Sequence, residues 1–549
     1  MRAQRFQTLT AAVIGVSGLL ALSACSLEPP YTPPSVAVPS HYLETGASAS
    51  ASASASASNA AATPTPPPTA VPTTPTSDAP HWASAVPADT VPRGAWWTVF
   101  GDADLDALEQ RVDVSNQTIV KAVAALDAAR ALVAYQRAGL LPTVTAGAAD
   151  DRYRNSATDQ AHRSTGGKTF NQYSVGASAS WEPDLFDKIR SGVDAASADA
   201  QASAADLGAV RLAVGAELAT DYFDLRETDL DKALLDDTVA AYRDAYDMTR
   251  QRLAIGISSE SDVAEAKAQL DATQSIATDT GLTRDKLQHA IATLIGVPAS
   301  SYVLPPKTAL ADAPRPPAIP TGVPSALLER RPDIAAAERR VAAANARIGS
   351  ARAAFYPDLT LSLSAGLESS AFMPWLTAPS LFWALGPQLA QTLFDGGKRT
   401  ASLHVADAQF AETVADYRQT VLGAFEQVEN NLAAVHALDS EAQSQQGAAQ
   451  ASNDALKLAL DRYRGGAISY LDVVTVQATA LANERAEIDI ARRRLDADVA
   501  LLEALGGGWH VAPDVGDARE ASDAGNASDA ENAGDARNDS HARDVGDAG

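Results

Sequence analysis

The chain has a single cysteine, Cys25, at the end of Leu22-Ser23-Ala24-Cys25. One thiol cannot make an intramolecular disulfide, and an unpaired thiol in an exported chain needs a reason. Arg2 and Arg5 form a basic n-region, Leu9 to Leu22 an apolar h-region, and the small residues ahead of Cys25 suit a signal peptidase. The thiol therefore lies at a cleavage point. Other reactive chemistry finds no support. The eight histidines lack the spacing of a metal centre, and no glycine-rich phosphate loop follows a strand. The abundant Asp and Glu suit wet helix faces or the lining of a channel. No catalytic residue, metal or cofactor is expected.

Leu22-Ser23-Ala24-Cys25 resembles a bacterial lipobox, which implies cleavage before Cys25 and acylation of both its thiol and its new amino group. Ser26 lacks the acidic side chain that resembles an inner-membrane retention signal, so delivery to the outer membrane is expected. Two or more acyl chains hold stably, at about 0.8 kcal/mol per buried CH₂. Residues 27–45 are Pro-rich, and Gly46 to Pro80 is Ala-Ser repeat followed by Thr-Pro-rich sequence. Such composition reads as a flexible tether stiffening into a polyproline-like spacer, so residues 25–95 are expected to be a lipidated tether without a core. The net charge of −25 excludes a nucleic-acid partner, because phosphate binding needs a basic face. No run of eighteen apolar residues follows residue 24, so no helix is expected to span a bilayer.

The elements that follow are organised around Glu329 to Leu367. Pro332 can open a helix at no cost to its hydrogen bonding, the Ala/Arg/Glu-rich run after it favours helix, and the run stops at Pro357. Leu359, Leu361, Leu363, Ala365 and Leu367 then alternate with Thr360, Ser362, Ser364 and Gly366, the period of a two-faced strand. The pattern recurs about 215 residues earlier, where a helix through Ala124 to Ala138 reaches Pro142 and enters a strand at Thr143. Leu185-Phe186-Asp187 answers Leu393-Phe394-Asp395, and Asp262-Val263 answers Asp472-Val473, in nearly the same register. The chain reads as an internal duplication.

Each half carries two strands: Thr143 to about Tyr153 and Tyr173 to Trp181, then Asp358 to about Ser369 and Phe382 to Phe394. A single helix is expected from Leu105 to Leu140. Proline-free runs from Lys188 to about Ala254 and from Lys398 to about Arg464 read as helices on the order of 100 Å long. In the second, Phe410 through Val435 recur at three-four spacing, as in a coiled-coil seam. Helices return over Asp262 to Ile295 and Asp472 to Leu505 after glycine turns. Two long helical hairpins thus project from the strands. Four amphipathic strands of about ten residues can cross a bilayer when tilted, but closed membrane barrels need about eight or more. An open edge in lipid leaves backbone groups unpaired, so copies must share the wall: two give eight strands, three give twelve.

Together with the lipobox, five motifs make the chain similar to the TolC-like outer membrane factors, and among them to the NodT-type efflux lipoproteins. They are Trp96-Trp97-Thr98-Val99-Phe100-Gly101-Asp102, Arg330-Arg331-Pro332-Asp333-Ile334, Phe355-Tyr356-Pro357, Leu393-Phe394-Asp395-Gly396-Gly397 and Arg462-Tyr463-Arg464-Gly465-Gly466. The resemblance runs from the signal peptide to about Gly508. It implies a mainly α fold with membrane β: a duplicated subunit of a homotrimer, forming a twelve-stranded outer-membrane β-barrel continuous with a long periplasmic α-helical barrel. It implies docking to a periplasmic adaptor and an inner-membrane pump of the resistance-nodulation-division type, with passive export of small molecules. A type I protein secretion duct and a pore-less coiled-coil lipoprotein spacer are the alternatives.

Carried over by motif, the periplasmic gate comprises Asp472, the narrowest ring, with Thr475 where the family has a second aspartate. Tyr463 is expected to bond to Asp262 across the two hairpins. Asp262 and Asp472 can equally serve as helix starts, where carboxylates meet the positive helix end. The expected organisation is a signal peptide (1–24), tether (25–95), first efflux repeat (96–300), linker (301–323), second repeat (324–508) and an acidic, disordered tail (509–549).

Overall fold

The computed structural model describes residues 27–39, 42–45, 81–83, 95–158, 167–308 and 331–507. The signal peptide, Cys25, most of the segment before Trp96, most of the linker and the acidic tail lie outside the described residues. In chain order the elements are β1 (Val36–Val38), β2 (His81–Ala83), α1 (Ala103–Ser115), α2 (Gln117–Ala138), β3 (Thr143–Arg154), β4 (Thr169–Trp181), α3 (Lys188–Ala254), α4 (Glu260–Leu294), α5 (Pro332–Ala353), β5 (Asp358–Ser369), β6 (Leu381–Ala390), α6 (Lys398–Arg464) and α7 (Tyr470–Ala504).

The duplication is visible in element lengths. α2 and α5 have 22 residues each, α3 and α6 have 67, and α4 and α7 have 35. At 1.5 Å per residue the long pair run for about 100 Å. Pro332 occupies the first helical position of α5, where its missing N–H leaves nothing unpaired. No helix among the described residues is long and apolar enough to cross a membrane.

Four of the strands form one antiparallel sheet in the order β3-β4-β5-β6, while β1 and β2 pair with each other separately. The two repeats are joined at its centre, where Gly176 of β4 faces Gly366 of β5. A Cβ on Gly176 would stand 2.9 Å from the Ala365 carbonyl oxygen, so this crossing needs glycine. Below the sheet, Phe186 after β4 stacks on Tyr356 after α5 with centroids 4.8 Å apart, tying the first repeat to the second. Lys188 then reaches Glu182 (3.1 Å) and Asp358 (3.2 Å) across the same junction. Trp181 donates its indole N–H to the Leu140 carbonyl at 2.9 Å, closing β4 against the end of α2.

Three details differ from the sequence reading. The helix expected over Leu105 to Leu140 is two helices broken at Asn116, whose backbone is extended (φ −66°, ψ 125°). The Asn116 carboxamide oxygen accepts from the N–H groups of Thr118 and Ile119, and its amide donates to the Leu294 carbonyl. A short polar side chain that can cap a new helix competes with continuing the old one. The fourth strand stops at Ala390, short of Phe394, because Asp395 accepts from the N–H of Gly397 and from Arg399 Nε and so starts the turn into α6.

The third difference concerns the expected tether. Residues 27–39 and 42–45 are not free of the core: Val36, Val38 and Tyr42 are buried. They pack with Ile334, Val421 and Val428 of the second repeat. The Leu43 N–H donates to Glu429 at 2.8 Å, and the Tyr31 hydroxyl donates to Glu338. In an extended chain alternate side chains point one way, so Val36 and Val38 enter the core together. Prolines 29, 30, 33, 34 and 39 lower the entropy lost on docking, which is how a Pro-rich stretch can lie down on a helical surface.

The first repeat closes its core with local residues. Trp96, Leu105 and Leu108 pack on Leu218, Tyr222 and Phe223 of α3. Asp102 caps α1 by accepting from the N–H groups of Asp104 and Leu105, and its other oxygen accepts from the Tyr222 hydroxyl at 2.7 Å. Between the repeats, buried alanines such as Ala205, Ala335 and Ala336 let α3 and α5 approach closely. The seam expected in α6 is formed: Tyr417, Val421, Phe425, Val428 and Leu432 are buried in one cluster, with Phe410, Val414 and Val435 against it.

Candidate functional site

The two hairpins turn alike. Gly256 (φ +73°) and Gly466 (φ +74°) take the left-handed conformation after α3 and α6. Ile257 N–H donates to the Arg252 carbonyl, and Ala467 N–H to that of Arg462, both at 2.8 Å. These are matched Schellman turns, which need a residue without a Cβ at that point.

Asp262 and Asp472 occupy equivalent places three residues into the returning helices. Ser259 N–H donates to Asp262 at 2.9 Å while the Asp262 N–H donates to the Ser259 hydroxyl at 3.1 Å. Ser469 and Asp472 repeat the exchange at 3.0 and 3.4 Å, and the Ser469 hydroxyl adds a 2.7 Å bond to the same carboxylate. Both aspartates therefore complete capping boxes, arrangements worth about 0.5–2 kcal/mol each. Asp472 is exposed, as is Thr475, whose hydroxyl donates back to the Leu471 carbonyl at 3.0 Å.

The expected Tyr463–Asp262 hydrogen bond is not made in this structure. The Asp262 carboxylate is engaged by its own helix start, and the buried Tyr463 hydroxyl has no partner among the described residues. What crosses between the hairpins is the ring. Tyr463 packs with Ala266 of α4 and with Tyr470 and Val473 of α7. Its centroid lies 5.5 Å from that of Tyr470, and burial pushes the Tyr470 hydroxyl up to about 12. Arg252, from the last turn of α3, sets its guanidinium 4.7 Å from the Tyr463 centroid. Arg252 and Tyr470 were missed from the sequence. A cation in the last turn of a helix is ordinary dipole chemistry, and nothing in one chain's pattern distinguishes Arg252 from Arg462 at the matching place.

Higher up, ion pairs cross-link the repeats. Arg485 of α7 donates from two nitrogens to Asp231 of α3 at 2.8 and 2.9 Å. Such forked pairing fixes geometry as well as charge. One turn-pair further, Arg492 meets Asp224 (3.1 Å), Glu227 (3.9 Å), Asp489 (3.0 Å) and Asp496 (2.9 Å). One guanidinium does not neutralise four carboxylates. Burial, with Asp224 adding to it, lifts Asp496 to about 7, and burial lifts Glu227 to about 7 against the pull of Arg492.

Cys25 lies outside the described residues, but the chain just after it is placed. Asn345, near the strand-proximal end of α5, donates to the Pro29 carbonyl at 2.8 Å and to Glu28 at 3.3 Å. The N-terminal segment thus enters beside the junction of helices and strands.

A narrow sheet whose outer edges have no partner among the described residues, standing on two hairpins about 100 Å long, defines a class: the channel-forming proteins of the bacterial outer membrane whose helices continue below the membrane. The model of the outer membrane efflux protein family matches residues 108–297 and again 323–507. The outer membrane protein OprJ of Pseudomonas aeruginosa is 34% identical over 423 residues, covering 75% of this chain and 86% of that protein. The pyoverdine export outer membrane protein OpmQ of Pseudomonas putida is 32% identical over 448 residues, 80% of this chain and 94% of its own length. Among solved structures, the outer-membrane channel OprN superposes with a TM-score of 0.71 at 30% identity, over 77% of this chain and 95% of that one. The chain belongs to the outer membrane efflux protein family, with the TolC-like fold. It is an outer-membrane efflux channel, a family whose members work with efflux pumps in tripartite systems.

Proposed function

We propose that the chain is the passive exit duct of its efflux system, closed into a pore only as a homotrimer. Three copies would supply a twelve-stranded barrel and six helical hairpins around one axis. The observation that carries this is the sheet itself: four strands, with β3 and β6 as outer edges unpaired among the described residues and every residue of β3 exposed. Backbone groups left open in lipid cost several kcal/mol each, so the edges need partners. A periplasmic adaptor and an inner-membrane pump of the resistance-nodulation-division type would drive export, and the chain itself would be no enzyme. That OpmQ is named for pyoverdine export supports small molecules as cargo here.

Cys25 would carry the acyl anchor, a reading supported by the entry of residues 28 and 29 beside the strand-proximal end of α5. The acidic tail from 509 would be a solvated extension. At the opposite end the exposed Asp472 and Thr475, repeated threefold, would line the narrowest point, with Asp262 and Tyr463 governing its closure. Reconstitution of the full-length protein in planar bilayers, paired with its mass in detergent, tests the duct. A trimer that conducts is expected; a monomer that passes no current overturns the reading.

A further inference from the structure

We infer that Arg252 is a positioning residue of the periplasmic end, holding the first hairpin to the second by resting its charge on the face of Tyr463. This rests on the gate reading above and replaces its hydroxyl bond with a ring contact. The guanidinium lies 4.7 Å from the ring centroid, within the range of a cation–π interaction. Among the described residues no ion pair of Arg252 is seen, and the ring is what its charge meets. Its backbone is fixed, because its carbonyl accepts the Ile257 N–H that closes the turn. The ring is fixed as well, wedged against Tyr470, Val473 and Ala266.

The duplication makes the contact one-directional. In the two turns Arg252 matches Arg462 and Leu253 matches Tyr463. At these matched places the first hairpin has a cation and no ring, and the second has both. Only Arg252 on Tyr463 can form, since Leu253 offers Arg462 no π face. Any motion that parts the hairpins breaks the contact, whereas the capping boxes of Asp262 and Asp472 lie within single helices and survive it.

Losing a cation–π contact at a partly exposed site shifts a closed-to-open ratio by about two- to five-fold per subunit. The test measures mean conductance of the full-length protein in planar bilayers for Arg252→Gln, Arg252→Lys, Tyr463→Leu and Tyr463→Phe. Arg252→Gln and Tyr463→Leu are expected to conduct most, with Tyr463→Phe, which keeps the ring, and Arg252→Lys, which keeps a cation, well below them. Tyr463→Phe conducting as much as Tyr463→Leu would show that the hydroxyl acts, and the inference fails. Arg252→Gln at the wild-type level also overturns it. If neither wild type nor any variant passes current, the duct reading fails instead, which is a distinguishable outcome.

Discussion

In the first repeat Phe186 stacks on Tyr356, whereas its counterpart in the second repeat, Phe394, is 89% exposed. The residue that matches Tyr356 in the first repeat is Leu141, itself 68% exposed. One junction between the repeats is thus satisfied within the chain, and the equivalent junction at the far side of each repeat is bare. The two repeats also finish their cores differently: the first with Trp96 and α1 beside it in sequence, the second with Val36, Val38 and Tyr42 from the distant N-terminus. A duplicated gene supplies two copies of one scaffold, and what lies outside the copies decides how each is completed.

The bare junction carries the largest expected effect. Transferring the β4–β5 pairing, in which Gly176 faces Gly366, by the repeat register sets Ala384 of β6 against Asp151 of β3 in a neighbouring copy. Ala384→Cys combined with Asp151→Cys should give efficient oxidative crosslinking between chains on gels, while Ala384→Cys with Thr145→Cys should give little. Reversed yields would mean that the internal pairing is not repeated between copies.

The core comparison is sharpened by matched truncations. Tyr42→Ala and Leu105→Ala each remove a fully buried side chain, one from each repeat's cluster, and each should destabilise by about 2–5 kcal/mol. Denaturant titration of the helical signal reads both. A Tyr42→Ala change near zero would return residues 27–45 to the role of a tether.

The smallest effect belongs to the seam between the repeats, where Asp224 and Glu227 of α3 face Asp489, Arg492 and Asp496 of α7. Glu227 and Asp496 titrate near 7 in the folded chain, above their unfolded values. Their contribution is therefore fully present below the unfolded pKa and is lost as pH rises through about 7. The melting temperature should rise on acidification from about pH 8 to about pH 5.5, and Asp496→Asn should flatten that response. A flat wild-type profile would mean that these carboxyls are charged at no cost.

Much of the architecture was legible in one dimension. The bounds of α3 and α6 followed from the absence of proline, those of β5 from strict alternation, and the turns at Gly256 and Gly466 from the demand for a left-handed residue. The break at Asn116 was missed because a cap and an interior residue look alike until the carbonyl acceptor at Leu294 is known to be near. The gate was legible as positions and not as contacts: Asp262 and Asp472 stand where the motifs put them, yet each carboxylate is taken by the serine three residues before it.

Periodicity, breakers and capping residues are local, and they determined by themselves that this chain makes two copies of a helix, a strand pair and a long hairpin. Too few strands to close was likewise a matter of counting. Which groups meet across hundreds of residues was decided only in three dimensions: Tyr42 in the second repeat's core, Arg485 on Asp231, Arg252 on the Tyr463 ring. Those partners are chosen by shape and by which charges are left unsatisfied once the helices pack, and neither quantity is written in the spacing of residues along the chain.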